Sequence, residues 1–297
     1  GATVADIQSS AEASHACALL ISGRVKCWGH NASGQLGYSV TAGICSDGVP
    51  DTTCYGDDFA EIASLPYLTF PTPGLTVEKL AVGDNHTCAH TSDDEIYCWG
   101  DNASGELGAD SASATIALSS AVPVALHANF DVADLIRLSA GQNHACADFL
   151  VGAAHESVCW GSGANGVLGQ GNTNNAGTAA NNLAAVSTPI DYGVGLATIT
   201  GLRVAGNHAC LRANTGATVC WGANGSSQLG TGVAGPVLEP AAGASAGSYT
   251  DVYVGTDFSC AVSGAFQYAC WGDNGSGRLG RGSASGTLTP GAAADFL

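Results

Sequence analysis

The stretch Cys17–Gly37, CALLISGRVKCWGHNASGQLG, decides the fold because the same pattern returns four more times along the chain. Each copy contains two cysteines, a tryptophan directly after the second cysteine and a glycine directly after the tryptophan. All the tryptophans of the chain occupy this one position: Trp28, Trp99, Trp160, Trp221 and Trp271. A repeat therefore organises the chain, and repetition accounts for many residues that would look catalytic in a single copy.

The two cysteines of each copy predict a β-hairpin closed by a disulfide bond. Cys17 and Cys27, for example, lie symmetrically about Ser22-Gly23, which places them opposite each other on two antiparallel strands. A cross-strand pair of this kind brings the two Cα atoms within disulfide reach. The predicted bonds are Cys17–Cys27, Cys88–Cys98, Cys146–Cys159, Cys210–Cys220 and Cys260–Cys270, and Cys45 and Cys54 form a sixth local pair.

The segments around each hairpin complete a four-stranded unit. A strand-like lead-in such as VEKLAVGDNHTC precedes the hairpin, and N-x-x-G-x-L-G or a close variant follows the Trp-Gly pair. Glycines at fixed offsets around one leucine indicate tight turns about a small apolar plug. We predict one domain, 1–297, made of repeats at about 1–66, 67–130, 131–190, 191–245 and 246–297, with residues 1–17 able to complete the last unit.

The repeat resembles that of the regulator of chromosome condensation family. The resemblance rests on a histidine shortly before the hairpin and on W-G-x-N-x-x-G-Q-L-G, which stand here as His15, Trp28-Gly29, Asn31 and Gly34–Gly37. It covers all five copies and implies an all-β fold, a β-propeller of about five four-stranded antiparallel blades with one hairpin disulfide in each blade.

Two features depart from the family pattern. Family propellers usually have seven blades, whereas five are countable here, so the ring is smaller, open or completed by another molecule. The cysteine pairs are typical of secreted bacterial members, and the nuclear exchange-factor function requires a GTPase partner and a chromatin-binding surface that this composition does not favour. The fold therefore does not carry the function.

Cysteine usage points to an oxidising compartment. The chain has 12 cysteines, an even number, and all of them fall into local pairs, which favours disulfides and an extracellular setting. Methionine is absent even at position 1, so we expect a processed N-terminus from which a secretory signal has been removed. The expected location is extracellular, either secreted or at the cell surface.

The charge balance excludes some partners. Eight basic and 25 acidic residues give a net charge of −17, which repels phosphate backbones and anionic membrane surfaces. Nucleic acid is therefore not an expected partner. No run of apolar residues is long enough to span a bilayer, so membrane insertion is not expected either.

Four histidines share one repeat position, two residues before the first cysteine. A ring of imidazoles could bind a metal ion, whereas in the alternative interpretation each histidine hydrogen-bonds a neighbouring turn. The fifth copy has Phe258 near that place. The four histidines are His15, His86, His144 and His208.

An acidic stretch surrounds the sixth cysteine pair. Its carboxylates are candidate calcium ligands, although their spacing matches no EF-hand loop and solvated surface charge is the alternative. The candidate ligands are Asp47, Asp51, Asp57 and Asp58. No other cofactor is expected.

The first functional hypothesis is a secreted, non-enzymatic β-propeller that acts as an extracellular interaction or structural module, including a self-assembling surface or filament subunit. Its partner is then another protein or further copies of itself, in a homo-oligomer or a filament. The alternative is a secreted inhibitor that binds an enzyme through its loop face. A third hypothesis is a propeller lyase or hydrolase that uses two carboxylates close together. Its candidates are Asp84, Asp101 and Asp273.

Overall fold

The structure is a computed structural model of the chain. It describes residues 2–10, 13–38, 43–44, 50–51, 54–56, 61–152, 154–186, 188–192, 199–232, 235–240, 249–263, 267–280, 287–288 and 294–295. Two compact units can be distinguished: residues 1–149, 160–162 and 175–187 form the first, and residues 150–159, 163–174 and 188–297 form the second. The single-domain boundaries expected from the sequence remain a prediction.

The first two repeats contain ten strands. In repeat 1 these are β1 (Val4–Gln8), β2 (His15–Leu20), β3 (Val25–His30), β4 (Gly43–Ile44), β5 (Pro50–Asp51) and β6 (Cys54–Tyr55). In repeat 2 they are β7 (Val77–Val82), β8 (His86–Thr91), β9 (Glu95–Asp101) and β10 (Thr115–Ile116). A helical turn α1 (Glu61–Ser64) lies between the two repeats, and a 3-10 turn covers Leu118–Ser120.

The last three repeats follow the same plan. Repeat 3 has β11 (Leu135–Ala140), β12 (His144–Val151) and β13 (Ala154–Gly161), and repeat 4 has β14 (Ile199–Ala205), β15 (His208–Ala213) and β16 (Thr218–Gly222). Repeat 5 has β17 (Asp251–Val254), β18 (Phe258–Val262), β19 (Gln267–Asp273), β20 (Thr287–Leu288) and β21 (Ala294–Asp295). Short helical turns cover Val132–Asp134, Ala164–Gly166 and α2 (Leu183–Val186).

Each repeat forms one main antiparallel sheet, and in repeat 1 the strands β4 and β5 pair in a separate two-stranded sheet. The strand orders are β1-β2-β3-β6, β7-β8-β9-β10, β11-β12-β13, β14-β15-β16 and β17-β18-β19-β20, and β21 also pairs with β19. In repeats 3 and 4, the isolated antiparallel bridges Gly161–Ala176 and Gly222–Val237 stand where a fourth strand begins. The all-β blade architecture predicted from the repeat is confirmed.

The hairpin disulfides are also confirmed. Cys17 lies directly opposite Cys27 in the β2–β3 register, and the two Cα atoms are 4.0 Å apart. The same arrangement, with Cα distances of 4.1 Å, holds for Cys88–Cys98, Cys210–Cys220 and Cys260–Cys270, and Cys146 and Cys159 are also disulfide-bonded. The predicted pair Cys45–Cys54 lies outside the side chains that the structure describes.

The N-terminal segment lies in the first sheet. Strand β1 pairs antiparallel with β2, and Ile7 lies opposite Ala18. In the last sheet, strands β20 and β21 both pair with β19. The described part of residues 1–17 is therefore the lead-in strand of repeat 1, equivalent to β7 of repeat 2.

Steric contact explains why a glycine follows the tryptophan in every repeat. Gly100 has φ +107°, and a Cβ atom built on it would lie 2.5 Å from the carbonyl oxygen of Asn85. Gly29, Gly161, Gly222 and Gly272 have the same backbone geometry against the equivalent carbonyl. A side chain at this position would collide with the backbone that enters the hairpin, so each repeat requires glycine.

The apolar core lies between successive sheets. One cluster joins the hairpin of repeat 1, including Leu19 and Leu36, to the lead-in strand and Trp99 of repeat 2. Another joins the hairpin of repeat 4, including Leu229, to Val252 and Trp271 of repeat 5. In these two junctions, the face of a sheet that meets the preceding repeat is called its leading face, and the face that meets the following repeat is called its trailing face; the equivalent faces of the other sheets take the same names.

Candidate functional site

The turn after each Trp-Gly pair is built by its asparagine. The Asn31 side-chain oxygen accepts a hydrogen bond from the Leu36 amide at 2.9 Å, which closes the turn around the leucine. The pairs Asn102–Leu107, Asn224–Leu229 and Asn274–Leu279 repeat this bond at 3.1 Å. Fixing the turn in this way fixes the direction of its carbonyl groups.

Those carbonyl groups hold the tryptophan of the following repeat. The Trp99 indole N–H donates to the Gln35 carbonyl oxygen at 2.9 Å. The same bond joins Trp160 to Glu106 at 2.9 Å, Trp221 to Val167 at 2.8 Å and Trp271 to Gln228 at 2.8 Å. The tryptophan of repeats 2 to 5 therefore packs each blade against the preceding one.

Two of the repeated histidines take part in the same junctions. The His15 Nε2 atom lies 2.9 Å from Thr87 Oγ1, and that hydroxyl donates to the Gln35 carbonyl at 2.9 Å. His208 and Ser259 repeat the arrangement at 2.9 Å, and Ser259 donates to the Gln228 carbonyl. These two histidines thus contact a strand hydroxyl of the next repeat, and that hydroxyl in turn donates to the turn carbonyl.

The other two histidines lack such a hydroxyl contact among the described residues. Repeat 3 has Ala145 where repeat 2 has Thr87, so His86 meets no hydroxyl there, and its Nε2 atom has no hydrogen-bond partner. Neither ring nitrogen of His144 has a hydrogen-bond partner. Burial lowers the pKa of His144 to about 4, and burial together with the nearby His144 and His15 lowers the pKa of His86 to about 3.

Metal binding by these histidines finds no geometric support. Among the described residues, no group of three or more His, Cys, Asp or Glu side chains could hold a metal ion. Of the proposed calcium ligands, Asp47, Asp57 and Asp58 lie outside the described residues, and only the backbone of Asp51 is described.

The three carboxylates considered for an enzyme have separate surroundings. Asp84 accepts a hydrogen bond from the Ser10 hydroxyl at 2.7 Å. Asp273 pairs with Arg278 at 3.2 Å within the last turn. Asp101 ends β9 close to the buried Glu106, whose pKa is raised mainly by burial. Asp101 and Asp273 thus interact within the turn of their own repeat, whereas Asp84 interacts with repeat 1.

The leading face of repeat 1 is uncovered. Ile7 is 60% exposed, whereas Leu80, at the same register position in repeat 2, is 4% exposed. Trp28 is half-buried, and no described residue accepts a hydrogen bond from its indole N–H, whereas the other four tryptophans are fully buried and bonded. In repeat 1 the leading face consists of Ile7, Ala18 and Trp28.

The trailing face of repeat 5 forms a groove. It has a volume of about 350 Å³ and is lined by Tyr253, Cys260, Val262, Tyr268, Cys270, Arg278, Leu279 and Gly280. Cys260, Val262 and Tyr268 are partly exposed, whereas the equivalent Cys17, Leu19 and Val25 are buried against repeat 2. This surface is called the trailing groove below.

The aromatic cluster of the last repeat, Tyr249, Tyr253, Phe266 and Tyr268, suggests from the sequence alone either a contact surface or core packing, whereas the sequence does not distinguish the leading face of repeat 1. Ile7 and Leu80 are equally apolar and equally placed, so only the packing of neighbouring repeats distinguishes an exposed from a buried side chain. A signal was present in the tyrosines of the last repeat: Tyr253 and Tyr268 line the groove, whereas Tyr249 is buried in the core.

Comparisons with known proteins agree with this geometry. The model of the Regulator of chromosome condensation (RCC1) repeat matches residues 13–35 and 77–106. The chain is 30% identical over 197 residues to the Ultraviolet-B receptor UVR8 of Arabidopsis thaliana, a match that spans 54% of this chain and 42% of the receptor.

Solved structures give the same fold. Human WBSCR16 superposes with a TM-score of 0.75 at 17% identity, covering 97% of this chain and 66% of that one. Prp20p of Saccharomyces cerevisiae superposes with a TM-score of 0.70 at 18% identity, covering 98% and 63%. The chain therefore spans less than two thirds of the length of Prp20p and less than half of UVR8.

Disulfide-locked hairpins, each followed by a turn that seats the next tryptophan, define a β-propeller built from repeated blades. Residues 13–35 and 77–106 match the RCC1 repeat, and the fold is the β-propeller of the solved structures that the chain resembles. Within the described residues, no helix has the length and apolar character needed to cross a membrane.

Proposed function

We propose that the chain is a secreted, non-enzymatic protein-binding module that acts outside the cell as an interaction or structural component. The observation that carries this proposal is the leading face of repeat 1, where Ile7 is exposed and Trp28 has an unbonded indole N–H. An apolar packing surface left open to solvent is characteristic of a protein–protein contact.

The disulfides support the extracellular part of the proposal. Each hairpin is closed by a bond between directly opposite cysteines, and no described cysteine is free. Such usage is rare where thiols are kept reduced. The net charge of −17 suits a soluble protein that does not bind nucleic acid.

The relatives support protein binding as a class of function. Yeast Prp20 has been solved bound to Kap60, and the binding of Prp20p to Gsp1p and histones has been described. Those partners are themselves proteins, so a propeller of this fold can serve as a protein-binding frame. The identity of a partner does not transfer with the fold.

Binding can be tested with the disulfide-intact chain as bait in the extracellular fraction of the source organism. We expect a saturable protein partner, which can include the chain itself, whose retention is lost in Ile7→Asp. Ile21→Asp is the matched control, because Ile21 is also exposed but lies at the hairpin tip, away from the leading face. Equal retention of the same proteins by both variants would contradict the proposal.

The compartment can be tested on protein isolated from its source. A peptide map without reduction should show Cys88 bonded to Cys98 and Cys210 bonded to Cys220. Free thiols at these positions would contradict secretion through an oxidising compartment.

A further inference from the structure

We propose that the leading face of repeat 1 docks into the trailing groove of repeat 5 of a second copy, so that molecules associate head to tail. The inference deepens the proposed protein-binding function and rests on it, since it names the partner as another copy of this chain. The argument comes from the junctions that already join repeats within the chain.

The junction between repeats 1 and 2 shows what a leading face requires. Trp99 donates to the Gln35 carbonyl, and its indole lies against Gly37, where a Cβ atom would approach the indole nitrogen to 3.0 Å. Leu80 and Ala89 pack in the same cluster as Leu36. The tryptophan of a leading face thus lies over the turn glycine of the preceding repeat and beside the turn leucine of that repeat.

The junction between repeats 4 and 5 uses the same contacts. Trp271 donates to the Gln228 carbonyl, and Val252 and Ala261 pack against Leu229 and the Cys210–Cys220 bond. The interface is therefore a repeated design that does not depend on one pair of sheets.

The trailing groove retains the seat for such a tryptophan. Leu279 and Gly280 line it at the positions of Leu36 and Gly37, and the Cys260–Cys270 bond forms its wall. Arg278 stands where Gln35 and Gln228 stand in the other turns, so its carbonyl is placed to accept an indole N–H. The groove is apolar in character, which matches an indole and an aliphatic side chain.

The leading face of repeat 1 supplies the complementary side chains. Ile7 lies opposite Ala18 in register, as Leu80 lies opposite Ala89 and Val252 opposite Ala261. Trp28 adds the unbonded indole N–H. The two surfaces are thus the two halves of the interface that the chain already uses between its own repeats.

Tyr268 controls access to the seat. The other repeats have Val25, Ile96, Ser157 or Thr218 at this position, and only repeat 5 has an aromatic ring there. The Tyr268 hydroxyl lies 3.2 Å from where a Cβ atom of Gly280 would be. The ring therefore covers the place of the incoming indole and must turn aside for docking, so it weakens association.

Different patches on the two partners make the contact heterologous. A heterologous contact produces closed rings when its rotation closes and open filaments when it does not. A variant altered on one face still has the other face intact, and this property allows a direct test.

Sedimentation of the purified, disulfide-intact chain from about 1 to about 100 µM should show concentration-dependent association. Ile7→Asp and Val262→Asp should each raise the midpoint concentration at least about tenfold, because each places a carboxylate in an apolar contact. Ile21→Asp should leave it unchanged. A mixture of the Ile7→Asp and Val262→Asp chains should form a one-to-one dimer and no larger species, since one good interface remains.

Tyr268→Val gives the opposite expectation, an association midpoint lowered by about tenfold, because the seat then resembles that of the other repeats. A wild-type chain and a Tyr268→Val chain that both stay at the single-chain mass over this range would overturn the inference. Association that Ile7→Asp and Val262→Asp leave intact would overturn it as well. The proposed function would survive either result if a different protein were retained by wild type and lost in Ile7→Asp.

Discussion

The indole N–H of Trp99 donates to the carbonyl oxygen of Gln35, 64 residues earlier in the chain, at 2.9 Å. The same oxygen accepts the Thr87 hydroxyl at 2.9 Å, so it receives two donors from the following repeat. One carbonyl of a turn thus fixes both the tryptophan and the inner strand of the next blade. This bond and its equivalents in repeats 3 to 5 explain why a tryptophan follows the second cysteine in each of repeats 2 to 5.

Trp99→Phe should therefore destabilise the protein by about 1–3 kcal/mol, because it removes a buried hydrogen bond and part of a fully buried ring. Guanidinium denaturation with the disulfides intact measures the change. Trp28→Phe is the matched control at the same repeat position, and because Trp28 is half-buried and unbonded it should cost less than about 0.5 kcal/mol. Equal losses for both variants would contradict the proposed role of the carbonyl.

Much of the blade could be predicted from the sequence because its determinants are local. Cys88 and Cys98 lie symmetrically about their turn, so the register of the hairpin and its disulfide follow from spacing alone. The N-x-x-G-x-L-G pattern likewise indicated tight turns around one leucine. These features depend on neighbours within one repeat, which the sequence displays directly.

The surfaces between repeats could not be predicted in the same way. Ile7 and Leu80 occupy the same register position, and whether each is buried depends on a sheet that is distant in sequence. The Nε2 atom of His208 contacts the hydroxyl of Ser259, whereas that of His86 has no partner because Ala145 stands at the equivalent position of repeat 3. That dependence becomes visible only when the strands are placed beside each other.

Gly100→Ala should cost about 3 kcal/mol or more. The added Cβ would lie 2.5 Å from the Asn85 carbonyl oxygen and 2.9 Å from the His86 Cα, and both are backbone atoms that cannot turn aside. Gly34→Ala is the control: Gly34 also has a positive φ, +78°, but nothing lies within 4 Å of an added Cβ. We expect about 1 kcal/mol there from the backbone conformation alone, measured by the same denaturation.

A loss for Gly34→Ala as large as that for Gly100→Ala would mean that the positive φ, and not the contact with Asn85, restricts this position to glycine.

Replacing Cys88 and Cys98 together by alanine should lower the free energy of unfolding by about 2–3 kcal/mol from loop closure, plus the loss of buried sulfur packing. The control is the Cys260–Cys270 pair, which spans the same sequence separation of 10 but includes a partly exposed cysteine. The loop contribution should therefore be equal and the packing contribution smaller. Thermal unfolding of both double variants tests the difference, and a larger loss at Cys260–Cys270 would contradict it.

The buried histidines predict a loss of stability in acid. The pKa of His144 is lowered by burial to about 4, below its ordinary value of 6.5, so the folded state binds this proton less readily than the unfolded state. Its contribution is fully present above pH 6.5 and is lost as the pH falls from 6.5 towards 4, by about 1.4 kcal/mol per pH unit. His15, with a pKa of about 4, and His86, with a pKa of about 3, act in the same direction.

His144→Phe should remove the His144 part of this pH dependence. The fifth repeat already has Phe258 at the equivalent place, where its ring lies over Gly255 as the His144 ring lies over Gly141, so phenylalanine fits the site. Between pH 7 and pH 4.5 the variant should lose about 2 kcal/mol less than wild type in urea denaturation. His208→Phe is the control: at pH 7 it should be destabilised by about 1 kcal/mol, because the Ser259 hydroxyl loses its histidine partner. An unchanged pH dependence in His144→Phe would show that His144 is not protonated on unfolding in this range.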